Sequence, residues 1–327
     1  AAVIAPPERS GEIDFAWHGA LHLNNGGTAL VTRSYFNIPF NNYRTYDKHG
    51  QVLAELGGNT RFTGETHRAL NNWGDVVGSR THDNYIWAGR VLMDRGFGAS
   101  IHGFPEGDYN GAFSDAWAYG LSDEGHVVGQ AVGDLDERQR AYVWRDQVMQ
   151  EIGTFGGPTS TAVAVSDQGV AVGRADLVDG SEHAFAFREG VLHDLGTLGG
   201  ANSWAADINN RGQITGTAQQ ADGGQRAFLF EKRRMLALPT PEGASASAWS
   251  INRHGQVIGS YTLAGQSHAF LFDGGSVHRV QDLLSAADQA IWTITGAAAI
   301  NDRGWILANA SKTGDQHSTV LLLKPLP

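Results

Sequence analysis

The sequence predicts an all-β fold, a seven-bladed β-propeller of four-stranded blades with an N-terminal strand closing the last blade. Three observations predict it: one short turn unit recurs along the chain, short β-rich stretches separate its copies, and glycine is abundant, with 43 in 327 residues. Hydrophobic residues make up 41% and charged residues 18%, a composition that can bury a core and does not match disorder.

The recurring unit is a short apolar strand, then Asn/Ser-x-x-Gly, then a second apolar strand. It occurs as Leu23-Asn24-Asn25-Gly26-Gly27, Leu70-Asn71-Asn72-Trp73-Gly74 and Leu121-Ser122-Asp123-Glu124-Gly125. It recurs as Val165-Ser166-Asp167-Gln168-Gly169, Ile208-Asn209-Asn210-Arg211-Gly212, Ile251-Asn252-Arg253-His254-Gly255 and Ile300-Asn301-Asp302-Arg303-Gly304. The spacing of roughly 45 residues suits propeller blades. The Asn or Ser side chain caps the turn, and the glycine takes a backbone angle that other residues resist.

A third strand follows each pair, as in Arg140-Ala141-Tyr142-Val143-Trp144 and Arg226-Ala227-Phe228-Leu229-Phe230. A fourth follows that, as in Val191-Leu192-His193-Asp194-Leu195-Gly196. Four short strands make a blade. One domain over 1–327 is expected, with blades near 16–58, 59–98, 112–157, 158–200, 201–240, 244–284 and 292–327. The last is to be completed by 11–16, where Glu12-Ile13-Asp14-Phe15 resembles an orphan fourth strand that would leave no open sheet edge. Little helix is expected outside Asp282–Ala287.

The net charge of -10 argues against nucleic acid, which needs a basic surface. No apolar run approaches the roughly 20 residues of a membrane helix. With no cysteine, disulfides and thiolate metal sites are excluded. The start, Ala1-Ala2-Val3-Ile4-Ala5-Pro6-Pro7, is compatible with a removed signal peptide as well as with trimming on expression. A secreted or periplasmic monomer is the expectation.

His183-Ala184-Phe185, His268-Ala269-Phe270 and Asp194-Leu195-Gly196-Thr197-Leu198-Gly199-Gly200 resemble the HAF repeat of extracellular bacterial proteins. The match is close over roughly 115–275 and degraded in the first two units and the last. The resemblance implies an exported repeat protein. In architecture the chain is also similar to seven-bladed polysaccharide lyases, among them ulvan lyases and rhamnose–glucuronate lyases, whose catalytic motifs have no match here.

A repeat offers its own internal comparison, because packing positions should look alike and a functional site should stand out. Four residues before the turn Asn/Ser stand Ala20, Ala118, Ala162, Ala205, Ala248 and Ala297, but His67 in the second unit. Six residues after the turn glycine stand Ala131, Ala175, Ala218 and Ala310, but Arg33, Arg80 and Tyr261 in three units. The early loops are also elaborate, with Tyr35, Asn41, Tyr43 and His82, and with His102 and Tyr109 in a glycine-rich excursion. Loops on a rigid scaffold commonly carry function.

Arginines, histidines and tyrosines in a groove suit β-elimination of an acidic, uronate-containing glycan. Arg33 and Arg80 would pair with the carboxylate and the developing charge. His67 or His82 would be the base and Tyr261 the acid. Tyr35, Asn41, Tyr43, His18, His102 and Tyr109 would bind the acidic polysaccharide or oligosaccharide. Each has a structural alternative: a salt-bridged arginine, a hydrogen-bonded histidine, a packing tyrosine. His183 and His268, which recur where Arg140 and Arg226 stand, read as structural.

No cofactor or metal is expected. Glu65, Asp83, Glu106 and Asp108 form no evident glycosidase pair, and His67, His82 and His102 lack a tight metal-ligand spacing. Phosphate-binding loops and a serine nucleophile elbow are missing. The alternative function is a non-catalytic glycan- or protein-binding propeller, with Trp117, Trp204, Trp249 and Trp292 stacking on sugars or packing between blades.

Overall fold

The computed structural model describes residues 2–5, 16–35, 38–56, 64–81, 90–95, 99–101, 113–133, 138–146, 148–315 and 317–325. They fall into two compact units, one of residues 1–59 with 238–327 and one of 60–237. Strands dominate both. Among the described residues, helix is confined to a 3₁₀ turn, Val280–Leu283, and a short α-helix, Ala286–Ile291, beside the predicted Asp282–Ala287. None of these is long and apolar enough to cross a membrane.

The second unit holds blades 64–101, 113–151, 156–194 and 199–237, each of four successive antiparallel strands. The first unit holds blades 16–56 and 245–279, built the same way, and a composite sheet. In that sheet Trp292–Ile300, Ile306–Lys312 and Ser318–Leu323 are joined at the outer edge by Ala2–Ala5. The expected seven-bladed repeat is corrected accordingly: six blades are continuous four-strand units, and the remaining sheet is assembled from both parts of the chain.

The closing strand is corrected as well. Glu12–Phe15 lie outside the described residues, and the position predicted for them is held by Ala2–Ala5, with Val3 opposite Leu321. Connection length explains the choice. A four-stranded sheet is about 14 Å across, yet Phe15 directly precedes Ala16, the start of the first strand of the next blade. A strand ending at Ala5 leaves enough chain to make that crossing.

The turns form as the residue types dictate. In every copy the glycine has φ between +72° and +90°, and its N–H donates to the carbonyl of the Asn or Ser three residues earlier. The Asn/Ser side chain is buried in all seven. Asn252 accepts from His254 N at 3.0 Å and Gln256 N at 3.1 Å, and Ser166 accepts from Val170 N at 3.3 Å.

The turns also tie neighbouring blades together. In the second unit Asn72 N donates to Asp123 at 2.7 Å, Asp123 N to Asp167 at 2.9 Å, and Asp167 N to Asn210 at 2.9 Å. In the first, Arg253 N donates to Asp302 and Asp302 N to Asn25, both at 2.8 Å. Backbone donors that a turn would leave to water are thus satisfied by the adjoining blade.

Opposite the alanine column lies a glycine column that spacing alone does not reveal. Each first strand carries a bulge just after that position, and its alanine lies opposite a glycine in four blades: Ala118–Gly129, Ala162–Gly173, Ala205–Gly216 and Ala248–Gly259. A Cβ at these glycines would lie 1.7–2.1 Å from a carbonyl oxygen of the first strand. The bulge presses the backbones together, which leaves no room for a side chain at the glycine position.

Cores form where blades meet. Tyr142, Phe185, Phe228 and Phe270 are fully buried, and the alanine preceding each is buried with it. These aromatic anchors contribute roughly 1.5–3 kcal/mol each by apolar burial.

Candidate functional site

The repeat is broken most clearly between the blade 245–279 and the composite sheet. The blades 113–151 and 156–194 each pass to the next through a short Gly-Thr-x-Gly-Gly link, Gly153–Gly157 and Gly196–Gly200. Here the connection is Val280–Ile291, carrying the 3₁₀ turn and the helix. Ser285 caps that helix by accepting from Asp288 N at 3.1 Å, and its hydroxyl donates to the Asp288 carboxylate at 2.9 Å. That bond holds the Asp288 carboxyl below the usual carboxylate range.

This connection walls a groove of about 510 Å³ between the two sheets. Leu271, Val280, Leu284, Ile306 and Leu323 line its apolar side, with Leu283 half exposed at the lip. Charged residues of both signs line it as well: Asp273, Asp288, Asp302, Arg303 and Lys324. Lys324 and Arg303 both lie against the Trp305 ring, 4.6 and 5.3 Å from its centroid. The equivalent groove between blades 113–151 and 156–194 measures about 480 Å³ and is lined by Val143, Val148, Val170 and Phe187 together with the polar His126, Arg145, Gln150, Gln168, Arg188 and Glu189. The inserted connection therefore adds Val280, Leu283 and Leu284 to the apolar lining with little change in size.

A second cleft, of about 300 Å³, lies beside His268, Arg279, Gln281 and Thr293. Tyr261 is opposite His268 in register, with ring centroids 5.2 Å apart. Gln281 is committed to the scaffold: its oxygen accepts from Ile294 N at 2.7 Å and its amide donates to Trp292 O at 3.1 Å.

The other predicted residues are placed by backbone register. His18 lies directly opposite Arg33, Asn41 opposite Ser34, and Tyr43 opposite Thr32; Tyr35 ends the second strand of the same blade. His67 faces Gly78, and Arg80 lies between Glu65 and Arg90. His82, His102 and Tyr109 lie outside the described residues. Register thus joins His18 with Arg33, whereas His67 and Arg80 belong to the other unit. Of the tryptophans, Trp249 is half exposed and Trp204 donates to Glu182 at 2.8 Å. Among the described residues, no three His, Asp or Glu side chains are grouped to hold a metal.

His183 has the expected structural role: its Nδ1 sits 2.9 Å from Asp194, which also accepts from Gly196 N. His268 does not repeat that pairing, because Arg279 stands where Asp194 stands. Sequence reasoning missed Arg279. The comparison of columns that singled out Tyr261 finds it once extended to the fourth strand.

Repeated four-stranded antiparallel blades, with the first strands of neighbouring blades packed together, define a β-propeller. The chain belongs to the family described as "Protein of unknown function (DUF3466)", which matches residues 69–321. No curated protein matches it. Among solved structures it is similar to the β-propeller domain of the Trilobed protease from Pyrococcus furiosus, at 7% identity, covering 96% of this chain and 97% of that one, with a TM-score of 0.66. A prolyl endopeptidase structure matches at 14% identity and TM-score 0.65, covering 99% of this chain and 48% of that one. Pyrococcus horikoshii acylaminoacyl peptidase matches at 11% and 0.62, covering 97% and 52%. This chain thus spans about half the length of those two peptidases, and at such identities the likeness is one of fold alone.

Proposed function

We propose that this chain is a binding module, a propeller that holds a glycan or protein partner in the groove walled by Val280–Ile291. The observation that carries this reading is the lining: at this break in the repeat, the inserted connection adds Val280, Leu283 and Leu284 to the apolar strand residues Leu271, Ile306 and Leu323 of an inter-blade groove. An apolar surface edged by a few charges is the usual make-up of a binding site, and it suits an extended amphipathic segment. Export, which the HAF-repeat resemblance implies, belongs to this reading.

The test is to screen the full chain against glycan and peptide arrays and to repeat the screen with Leu283→Asp. Leu283 is 49% exposed, so the substitution should spare the fold while weakening groove ligands by about tenfold. Array ligands that bind both proteins equally would place recognition elsewhere.

A second reading, a lyase for uronate-containing glycans, is favoured by the cross-strand pairing of His18 with Arg33. In it an arginine, Arg33 or Arg80, pairs with the carboxylate, a histidine or tyrosine of the same unit takes the neighbouring proton, and a second such group protonates the departing glycosidic oxygen as a carbon–carbon double bond forms. Incubation with ulvan, gum arabic, alginate, pectate and glycosaminoglycans should then raise the ultraviolet absorbance of unsaturated uronate, and Arg80→Ala should abolish the rise. A flat trace across the panel would leave the binding module as the sole reading.

A further inference from the structure

The cleft beside Tyr261 and His268 departs from its siblings in a way that goes beyond the groove just described. In blades 113–151 and 156–194, a basic third-strand residue is answered by an acid on the fourth strand. Arg140 Nε lies 3.4 Å from Glu151, and His183 Nδ1 lies 2.9 Å from Asp194. In blade 199–237 the acid position is Ala237, and Arg226 Nε donates instead to Gln220 at 3.0 Å. In blade 245–279 the third-strand residue is His268 and the acid position holds Arg279, opposite Phe270 as Asp194 is opposite Phe185.

An internal carboxylate has thus been exchanged for a guanidinium beside an imidazole. Arg279 is exposed and makes no ion pair among the described residues. Both side chains line the cleft of about 300 Å³, together with Gln266, Ser267 and Thr293. The guanidinium fork matches a carboxylate through two parallel hydrogen bonds. The neighbouring hydroxyls and amide are suited to a ligand that carries hydroxyl groups of its own.

We infer that this cleft is a carboxylate-binding site for a small hydroxylated acid of the sugar-acid type, free or as a residue of a glycan. The bound carboxylate takes the place that Asp194 and Glu151 hold in the sibling blades. Arg279 supplies the fork, and His268 is held beside it by the Tyr261 ring. The site lies in a different cleft from the apolar groove and does not depend on it.

Titration calorimetry of the full chain with glucuronate, glucose and a short poly-glutamate peptide tests this. Glucuronate should bind, with glucose weaker by about tenfold or more because it lacks the charge. Arg279→Asp restores the sibling pattern and should keep the thermal midpoint while weakening glucuronate by a similar factor. His268→Arg, which copies Arg140 and Arg226, should retain binding. Equal affinity for glucuronate and glucose, no heat with either, or a titration indifferent to Arg279→Asp would overturn the site. An Arg279-dependent preference for the peptide would overturn the ligand class. Heparosan or another uronate polymer binding where the monosaccharide does would identify the glycan-borne source, and the monosaccharide alone the free acid.

Discussion

Gly216→Ala is expected to lower stability by about 3 kcal/mol, the upper end of what overpacking usually costs. The added methyl would lie 1.9 Å from Trp204 O, 2.9 Å from Ala205 Cα and 2.9 Å from the Phe228 ring. Two of those atoms are backbone in a bulged strand, and the third belongs to a fully buried side chain. None can move aside cheaply. Gly212→Ala is the matched control, since its glycine has φ of +74° with no heavy atom near the new methyl. It should cost only about 1 kcal/mol, through backbone strain. In thermal denaturation the first substitution should lower the midpoint by roughly 4–5 °C for a chain of 327 residues, and the control by about a third of that. If the two shifts are equal, close approach is not what keeps this column glycine.

Asn301→Ala should be the next most costly, at about 2–4 kcal/mol. Asn301 is 3% exposed, accepts from Arg303 N and Trp305 N at 3.0 Å each, and donates to Asn24 O in the adjoining blade at 3.0 Å. Alanine leaves both N–H groups without their acceptor and removes the link between blades. Asn301→Ser keeps an acceptor, as Ser122 and Ser166 do at the same position, but loses the amide NH₂ that reaches Asn24 O. Chemical denaturation should therefore rank the wild type above Asn301→Ser, and Asn301→Ser above Asn301→Ala. A serine variant as unstable as the alanine variant would mean that the bond to Asn24, not the turn, dominates.

The turns are legible in the sequence because their chemistry is local: an Asn or Ser acceptor and a left-handed glycine three residues later suffice. The four-strand rhythm is legible for the same reason. The bulges are not, because one extra residue leaves the spacing between Ala205 and Asn209 identical in every unit and shows only in what lies across the sheet. The closing strand is misread because Ala2–Ala5 and Glu12–Phe15 are both short stretches with β-forming residues; only the length of the connection to Ala16 separates them. At the candidate sites, column comparison finds Tyr261 and places His183 as structural. It misses Arg279 because the significance of that arginine depends on a partner eleven residues away on the neighbouring strand.

The shared edge of the composite sheet has a mechanical consequence. Ala2 lies across from Leu322 and Val3 from Leu321, so the start of one strand sits beside the finish of the other. Tension applied between these two points would part the rungs one after another, as a zipper opens, rather than loading them together in shear. The seam is therefore where this protein should yield first under force, while the hairpins within the other blades are still intact.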